Sequence, residues 1–191
     1  MAIKVFWNAE LAKEYAELYA KAKVKPERLN LAQSVANKIL KNKALYERIA
    51  AAANVKMPWW FVGVVHQMEC SLSMDKHLHN GDPLTARTVR VPKNRPATGT
   101  PPFTFEYSAI DALKGKVGKE TDWSLAHCLY LLEGYNGYGY RQYHPEVKSP
   151  YLWSFTDKYS KGKYVYDGRY DREAVSLQVG AVAVMKCLGV K

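Results

Sequence analysis

One acid stands out for the place the chain gives it. Glu69 closes the run PWWFVGVVHQME, residues 58 to 69, which is apolar on nearly every side. A stretch of that kind reads as a buried helix with Pro58 at its first turn, and Glu69 falls in its last turn. Phe61 and Val65 lie eight and four residues earlier, on one face with Glu69, so the carboxyl should emerge beside apolar packing. Desolvation and the negative end of the helix dipole both disfavour the charged carboxylate, which is what a general acid working near neutral pH requires. The polar stretch that follows offers a second catalytic group: Asp82 is favoured, with Thr85 or Thr88 as helper and Ser71 beside the acid. Asp82 also suits a second role, building the Asn80-Gly81-Asp82 turn through its side chain.

Three histidines raise a rival chemistry. His66, His77 and His79, with Glu69 and Asp75 nearby, suggest a zinc site of a cell-wall peptidase. The order His66-Gln67-Met68-Glu69 is not the HExxH of such enzymes, so no metal or other cofactor is expected. His66 then reads as a polar neighbour of Glu69, expected with Ser71 and Thr88 to contact the substrate. The three cysteines, Cys70, Cys128 and Cys187, are widely spaced and form no CxxC pair. Neither a GxSxG elbow nor a phosphate-binding loop is present.

A second collection is aromatic. Tyr135, Asn136, Tyr138, Tyr140, Arg141 and Tyr143, with Trp153 and Tyr159, suit stacking on sugar faces and bonding acetamido groups. The glycine-broken 135–143 stretch is the part expected to bind.

The elements that must carry these groups are mostly helical. Asn8 caps a helix through about Lys23, Pro26 opens a second, and a third ends before Asn54. After Glu69, Thr85 to Val91 is β-branched and predicts a short hairpin, and Lys93 to Pro102 is a proline-rich loop. Helices resume at about Phe105–Leu113, stopped by Gly115, and at Asp122–Glu133, stopped by Gly134. A short helix starts at Ser149-Pro150, Lys163 to Tyr170 forms a hairpin, and a terminal helix runs from Asp171 along Ala174, Leu177, Ala181, Val184 and Leu188. The expectation is one α+β, mainly α domain over residues 1–191, with a basic helical part at 1–56 and a catalytic part at 57–191.

The segment PWWFVGVVHQMECSLSMDKHLHNGDPLTART, with YNGYGYRQYHPEVKSPYLWSFTDKYSKGKYV further on, resembles phage and prophage endolysins of the lysozyme-like superfamily. The resemblance covers about residues 57–188. It implies a helical domain with a small β-hairpin lobe, in which Glu69 protonates the β-1,4 glycosidic oxygen between N-acetylmuramic acid and N-acetylglucosamine. Lysozymes of the best-known phage type place an aspartate and then a threonine at short fixed spacings after the glutamate. Here Asp75 is six residues on and Asp82 thirteen, so the second group does not carry over by spacing. Glu69-Cys70-Ser71 and Tyr135-Asn136-Gly137 are also loosely similar to elements of lytic transglycosylases, in which one glutamate acts as acid and then base and the product closes into a 1,6-anhydro ring. The Gly-Leu-Met-Gln type motif of those enzymes is missing.

Charge adds a partner. The 191 residues carry a formal +10, and residues 1–56 hold eleven basic against five acidic groups. A stripe of Lys13, Lys21, Lys23, Lys25, Lys38, Lys41 and Lys43 would draw the protein to anionic envelope polymers, or serve as a basic binding module with no enzymatic role. No nucleic-acid motif accompanies it, so nucleic acid is not expected as a partner. No apolar run is long enough to span a bilayer or to act as a signal peptide. The reading is a monomer made in the bacterial cytoplasm that reaches peptidoglycan after release or export.

Overall fold

The computed structural model describes residues 5–166 and 168–191. It is mainly helical with one small antiparallel sheet, the α+β class expected. Contacts gather into two units: a terminal unit, Met1–Asn37 with Ser124–Lys191, and a middle unit, Lys38–Trp123.

In the terminal unit, α1 (Ala9–Lys21) starts where Asn8, in extended backbone, accepts the Leu11 N–H on its side-chain oxygen at 2.9 Å. Its buried Tyr15 and Tyr19 face inward, and it packs on α6 (Leu125–Asn136). α6 runs through Gly134, the expected stop. A Cβ there would meet the Tyr138 hydroxyl at 2.9 Å, so the glycine serves a close approach inside the helix, and the chain leaves the helix only at Gly137, φ +79°. A short α7 (Gly139–Tyr143) follows, then α8 (Pro150–Trp153), which packs on α6 and on α9 (Ala181–Cys187). The hairpin arrives as expected: β1 (Lys163–Tyr166) pairs antiparallel with β2 (Arg169–Asp171), with an irregular register between Tyr164 and Tyr166. Asp167 of that hairpin lies outside the described residues.

The terminal helix is shorter than its sequence period suggests. The Ala174 carbonyl accepts from Gly162 N–H, the Ser176 N–H donates to the Tyr159 hydroxyl and the Ser176 carbonyl accepts from Ser154 Oγ. With those backbone groups committed to distant partners, Ala174 and Leu177 cannot join the helix, which begins only at Ala181.

The middle unit is built from α3 (Lys43–Ala53), α4 (Trp59–Cys70) and α5 (Phe105–Val117), with α3 packed on both others. α4 has every residue from Phe61 to Met68 buried, as its apolar sequence requires. At Gly63 a Cβ would sit 2.5 Å from Ile39 Cγ2 and 3.2 Å from the Tyr46 ring, so this helix can lie this close to them only with glycine there. α5 passes Gly115, the expected stop, because Val117 beyond it is buried.

The hairpin expected at Thr85–Val91 does not form. The Val89 and Arg90 N–H groups, which a strand would offer to a ladder, donate instead to the Asp82 carboxylate at 2.8 and 3.0 Å. Val89 and Val91 are left 72% and 81% exposed, so their β-branched side chains have no sheet to pack in. α2 (Pro26–Lys41) starts at Pro26 as expected, and no helix among the described residues is long and apolar enough to cross a membrane.

Candidate functional site

From Phe61 to Cys70 every residue is buried except Glu69, which is half-buried in the last turn of α4. The chain then reverses through two consecutive left-handed residues, Ser71 at φ 51° and Leu72 at φ 60°. Each costs a non-glycine residue about 1 kcal/mol or more, and such strain persists only where the surroundings impose it. Two helix-end bonds do so, Ser71 N–H to the Gln67 carbonyl and Leu72 N–H to the His66 carbonyl.

His66 adds a third restraint. Its ring is fully buried and lies against Phe105, with centroids 4.0 Å apart. Tyr46 Oη sits 3.0 Å from Nδ1, and Nε2 lies 2.9 Å from the Ser73 carbonyl. A carbonyl only accepts, so Nε2 carries the proton, and Nδ1 accepts from the tyrosine. Burial pushes the His66 pKa down and keeps the ring neutral, although the Ser73 bond opposes this. A ring with no exposed surface cannot touch a substrate, so the expected substrate-binding role of His66 is corrected to fixing the Ser71–Ser73 turn. Around Glu69, burial pushes the Cys70 thiol up to about 12, and the carboxylate charge adds to this. The Lys116 ammonium is pushed down by burial and held back by the attraction of Glu69.

Asp82 does not stand as a free base. Its side chain is 4% exposed and accepts from Arg90 N–H, Val89 N–H, Arg90 Nε at 2.6 Å and Asn80 Nδ2 at 3.1 Å. The Arg90 N–H above all, with the Val89 N–H and the guanidinium, holds its pKa down at about 2. Of its two readings, turn-building is the one this geometry serves. Thr88 is buried, donates to the Pro92 carbonyl and accepts the Arg95 N–H, so it too ties the loop and has no surface for substrate. Thr85 and Ser71 are exposed.

The other histidines are occupied with protein groups. His77 bonds Ser108 Oγ at 2.7 Å and the Ala86 carbonyl at 2.8 Å, and His79 meets Asp111 at 2.8 Å. Among the described residues no group of three or more metal-binding side chains converges.

The aromatic collection divides between two cavities of the terminal unit. The larger, of about 820 Å³, is lined by Asn136, Tyr140 and Tyr143 from the expected set, together with the hairpin residues Lys163, Tyr164, Tyr166 and Tyr170. Tyr140 is nearly buried; its hydroxyl accepts the Tyr164 N–H at 3.1 Å, and burial pushes its pKa up to about 12. Tyr143 is 61% exposed, leaving a ring face open to a ligand. His144 stacks on Tyr170 with centroids 3.5 Å apart. The hairpin tyrosines and His144 were not among the expected site residues; the sequence of Lys163–Tyr170 signalled a hairpin but not the cavity it walls.

Arg141 and Trp153 line the smaller cavity, of about 200 Å³. Trp153 is 1% exposed and belongs to the core, which removes it from the expected sugar contacts. Arg141 is spent on carboxylates: Nε bonds Glu133 at 3.1 Å and Nη1 bonds Glu14 at 3.0 Å, while Glu133 also accepts from Tyr15 Oη at 2.6 Å and Glu14 from Lys148 Nζ at 3.1 Å. Its role is therefore to anchor α7, which carries Tyr140 and Tyr143, and not to bind sugar. Tyr138 is half-buried with its hydroxyl on the Tyr130 carbonyl, and Tyr135 is half-buried near the end of α6.

In the basic stripe, Lys13 and Lys21 both lie within 4 Å of Glu17 and Lys43 lies 3.6 Å from Glu47, while Lys25 bonds the Tyr159 carbonyl. Lys23, Lys38 and Lys41 are exposed. Comparison of the chain with protein-family models, curated proteins and solved structures returns no match.

Proposed function

We propose that the protein is a lysozyme-like enzyme that cleaves the glycan strands of bacterial peptidoglycan, with Glu69 as proton donor and the 820 Å³ aromatic cavity as a sugar-binding site. The observation that carries the reading is the position of Glu69. It is the one residue between Phe61 and Cys70 that is not buried, at the end of a buried helix and before a strained turn held by three hydrogen bonds. A carboxyl carried on so fixed a backbone can meet a glycosidic oxygen with less reorganisation than one on a mobile loop would need. The cavity supports the substrate class, because tyrosine faces and an amide side chain match pyranose rings and acetamido groups.

Protonation of the bridging oxygen by Glu69 breaks the glycosidic bond as positive charge grows at the anomeric carbon. A water assisted by a second carboxylate would complete hydrolysis. The commitment of Asp82 to Val89 and Arg90 favours a second reading on one point, the transglycosylase outcome. There Glu69, now ionised, takes the proton of the sugar's own 6-hydroxyl as that oxygen closes on the anomeric carbon. Mass spectrometry of digested sacculi separates the two. Reducing ends support hydrolysis, 1,6-anhydro ends support the single-acid route, and cleaved peptide bonds with intact glycan reject both. The exposed Lys23, Lys38 and Lys41 would add attraction to anionic wall polymers, weakening as salt rises.

A further inference from the structure

His77 and His79 of the middle unit form one chain of hydrogen-bonding groups with Ser108 and Asp111 of α5. Along it, His77 Nε2 lies 2.8 Å from the Ala86 carbonyl and His77 Nδ1 lies 2.7 Å from Ser108 Oγ. His79 Nδ1 then lies 3.5 Å from the same Ser108 Oγ, and His79 Nε2 lies 2.8 Å from the Asp111 carboxylate. All four ring nitrogens are in use. Each of the four contacts needs one proton between its heavy atoms. The carbonyl and the ionised carboxylate only accept, so with neutral imidazoles the chain holds three protons, one on each ring and one on the serine. It is one proton short. Ala86 fixes the His77 proton on Nε2, the serine hydroxyl therefore donates to His77 Nδ1, and Asp111 fixes the His79 proton on Nε2. Ser108 Oγ and His79 Nδ1 are left as two acceptors facing each other, and theirs is the longest contact of the four.

We infer that His77, Ser108 and His79 are a single proton-uptake unit, a pH-sensitive clasp that takes one proton as pH falls and so joins the 77–86 segment to α5 through the Ser108–His79 contact. The proton has two resting places. On His79 it lies between Nδ1 and Ser108 Oγ; on His77 it lies between Nδ1 and Ser108 Oγ, and the serine hydroxyl turns to donate to His79 Nδ1. A second proton would set two imidazoliums with centroids 5.8 Å apart across one oxygen and leave the serine proton with no acceptor in the chain. Of the charged groups acting on His79, Asp111 draws the proton in, while Arg95 and a charged His77 oppose it. Arg95 Nη2 lies 2.8 Å from Asp111 Oδ2, and the Asp82 carboxylate, whose main-chain carbonyl accepts the His77 N–H, is bonded to Arg90. Burial is the largest influence on His79 and pushes its pKa below the ordinary 6.5, so uptake falls on the acid side of that value.

Nitrogen-15 NMR of the full chain labelled at histidine, followed from pH 8 to pH 4.5, reads the proton on each ring nitrogen. At pH 8 both rings should be protonated on Nε2 alone. On acidification the two rings together should gain one proton, with the signals of both moving at one shared midpoint. Ser108→Ala removes two of the four contacts. The two that remain, to Ala86 and Asp111, are matched by the protons of two neutral rings, so nothing in the variant calls for a further proton. The His79 midpoint should then fall by about one pH unit and no longer coincide with any change at His77. Separate midpoints with a full proton gained by each ring, no proton gained by either ring above pH 4.5, or a His79 curve that Ser108→Ala leaves unmoved would each overturn the shared unit. The first two are read from the wild type alone, whatever the variant does.

Discussion

Replacing Arg141 with methionine removes the guanidinium that pairs with Glu133, whose side chain is only 3% exposed, while keeping much of the apolar stem. Glu133 would then hold a buried carboxylate against a single hydroxyl, that of Tyr15 at 2.6 Å, and Glu14 would lose one of its two cations. Breaking a buried pair from one side costs about 3–5 kcal/mol, because the remaining charge is left uncompensated. For a chain of this length that lowers Tm by roughly 6–20 °C. Glu133→Gln in the Arg141→Met background removes the orphaned charge and should recover most of the loss, giving a coupling of about 2 kcal/mol in a double-mutant cycle. Urea unfolding followed by circular dichroism reads both quantities. Because Arg141 also anchors α7, the single variant should bind N-acetylglucosamine oligomers more weakly. A loss below about 1 kcal/mol for Arg141→Met, or strict additivity of the two substitutions, would refute the assignment of Arg141 as an anchor.

Three further outcomes follow from the middle unit. Tyr46→Phe leaves the buried His66 Nδ1 without its donor and should cost about 1–3 kcal/mol in urea unfolding; an unchanged midpoint would mean that this hydrogen bond does not hold the turn. Asp82 has a native pKa of about 2 against an ordinary 3.8, so its stabilisation is present above about pH 4 and lost as pH falls through 2. Hydrogen exchange should show the 82–95 loop loosening over that window in the wild type and already loose at neutral pH in Asp82→Asn, whereas a tight loop with abolished turnover would make Asp82 catalytic. His66 and His79 are both held neutral by burial, with pKa values pushed below the ordinary 6.5. The unfolded chain takes up their protons first, so unfolding midpoints should fall as pH drops below about 6.5, and a rise over that range would contradict the assignment.

The helices were legible where a cap or a period was local. Asn8 caps α1, Pro26 opens α2 and the all-round apolar run predicts the burial of α4. Glycine misled at Gly134, where a stop signal and a close packing contact use the same residue and only the position of Tyr138 distinguishes them, and at Gly115, where a Cβ would meet nothing within 4 Å and the helix runs on to bury Val117. The β-branched run at Thr85–Val91 misled because Asp82, several residues upstream, captures the amides that a ladder would need. At the candidate site Glu69, Asn136, Tyr140 and Tyr143 were visible from type and local context. Arg141, Thr88 and Trp153 were misassigned because their partners lie in distant sequence or their burial depends on packing. Lys163 and the hairpin tyrosines were missed because what makes them a wall is the approach of α7, which no local pattern encodes.

On the proposed function, the Glu69 carboxyl delivers the proton that breaks the glycan strand. Release of new saccharide ends from purified sacculi, compared between the wild type and a Glu69→Gln chain of matching circular dichroism and melting temperature, measures it directly. Sustained release by the first and none above background by the second is expected, since the amide keeps the shape and lacks the acidic proton. Undiminished release by Glu69→Gln would contradict it.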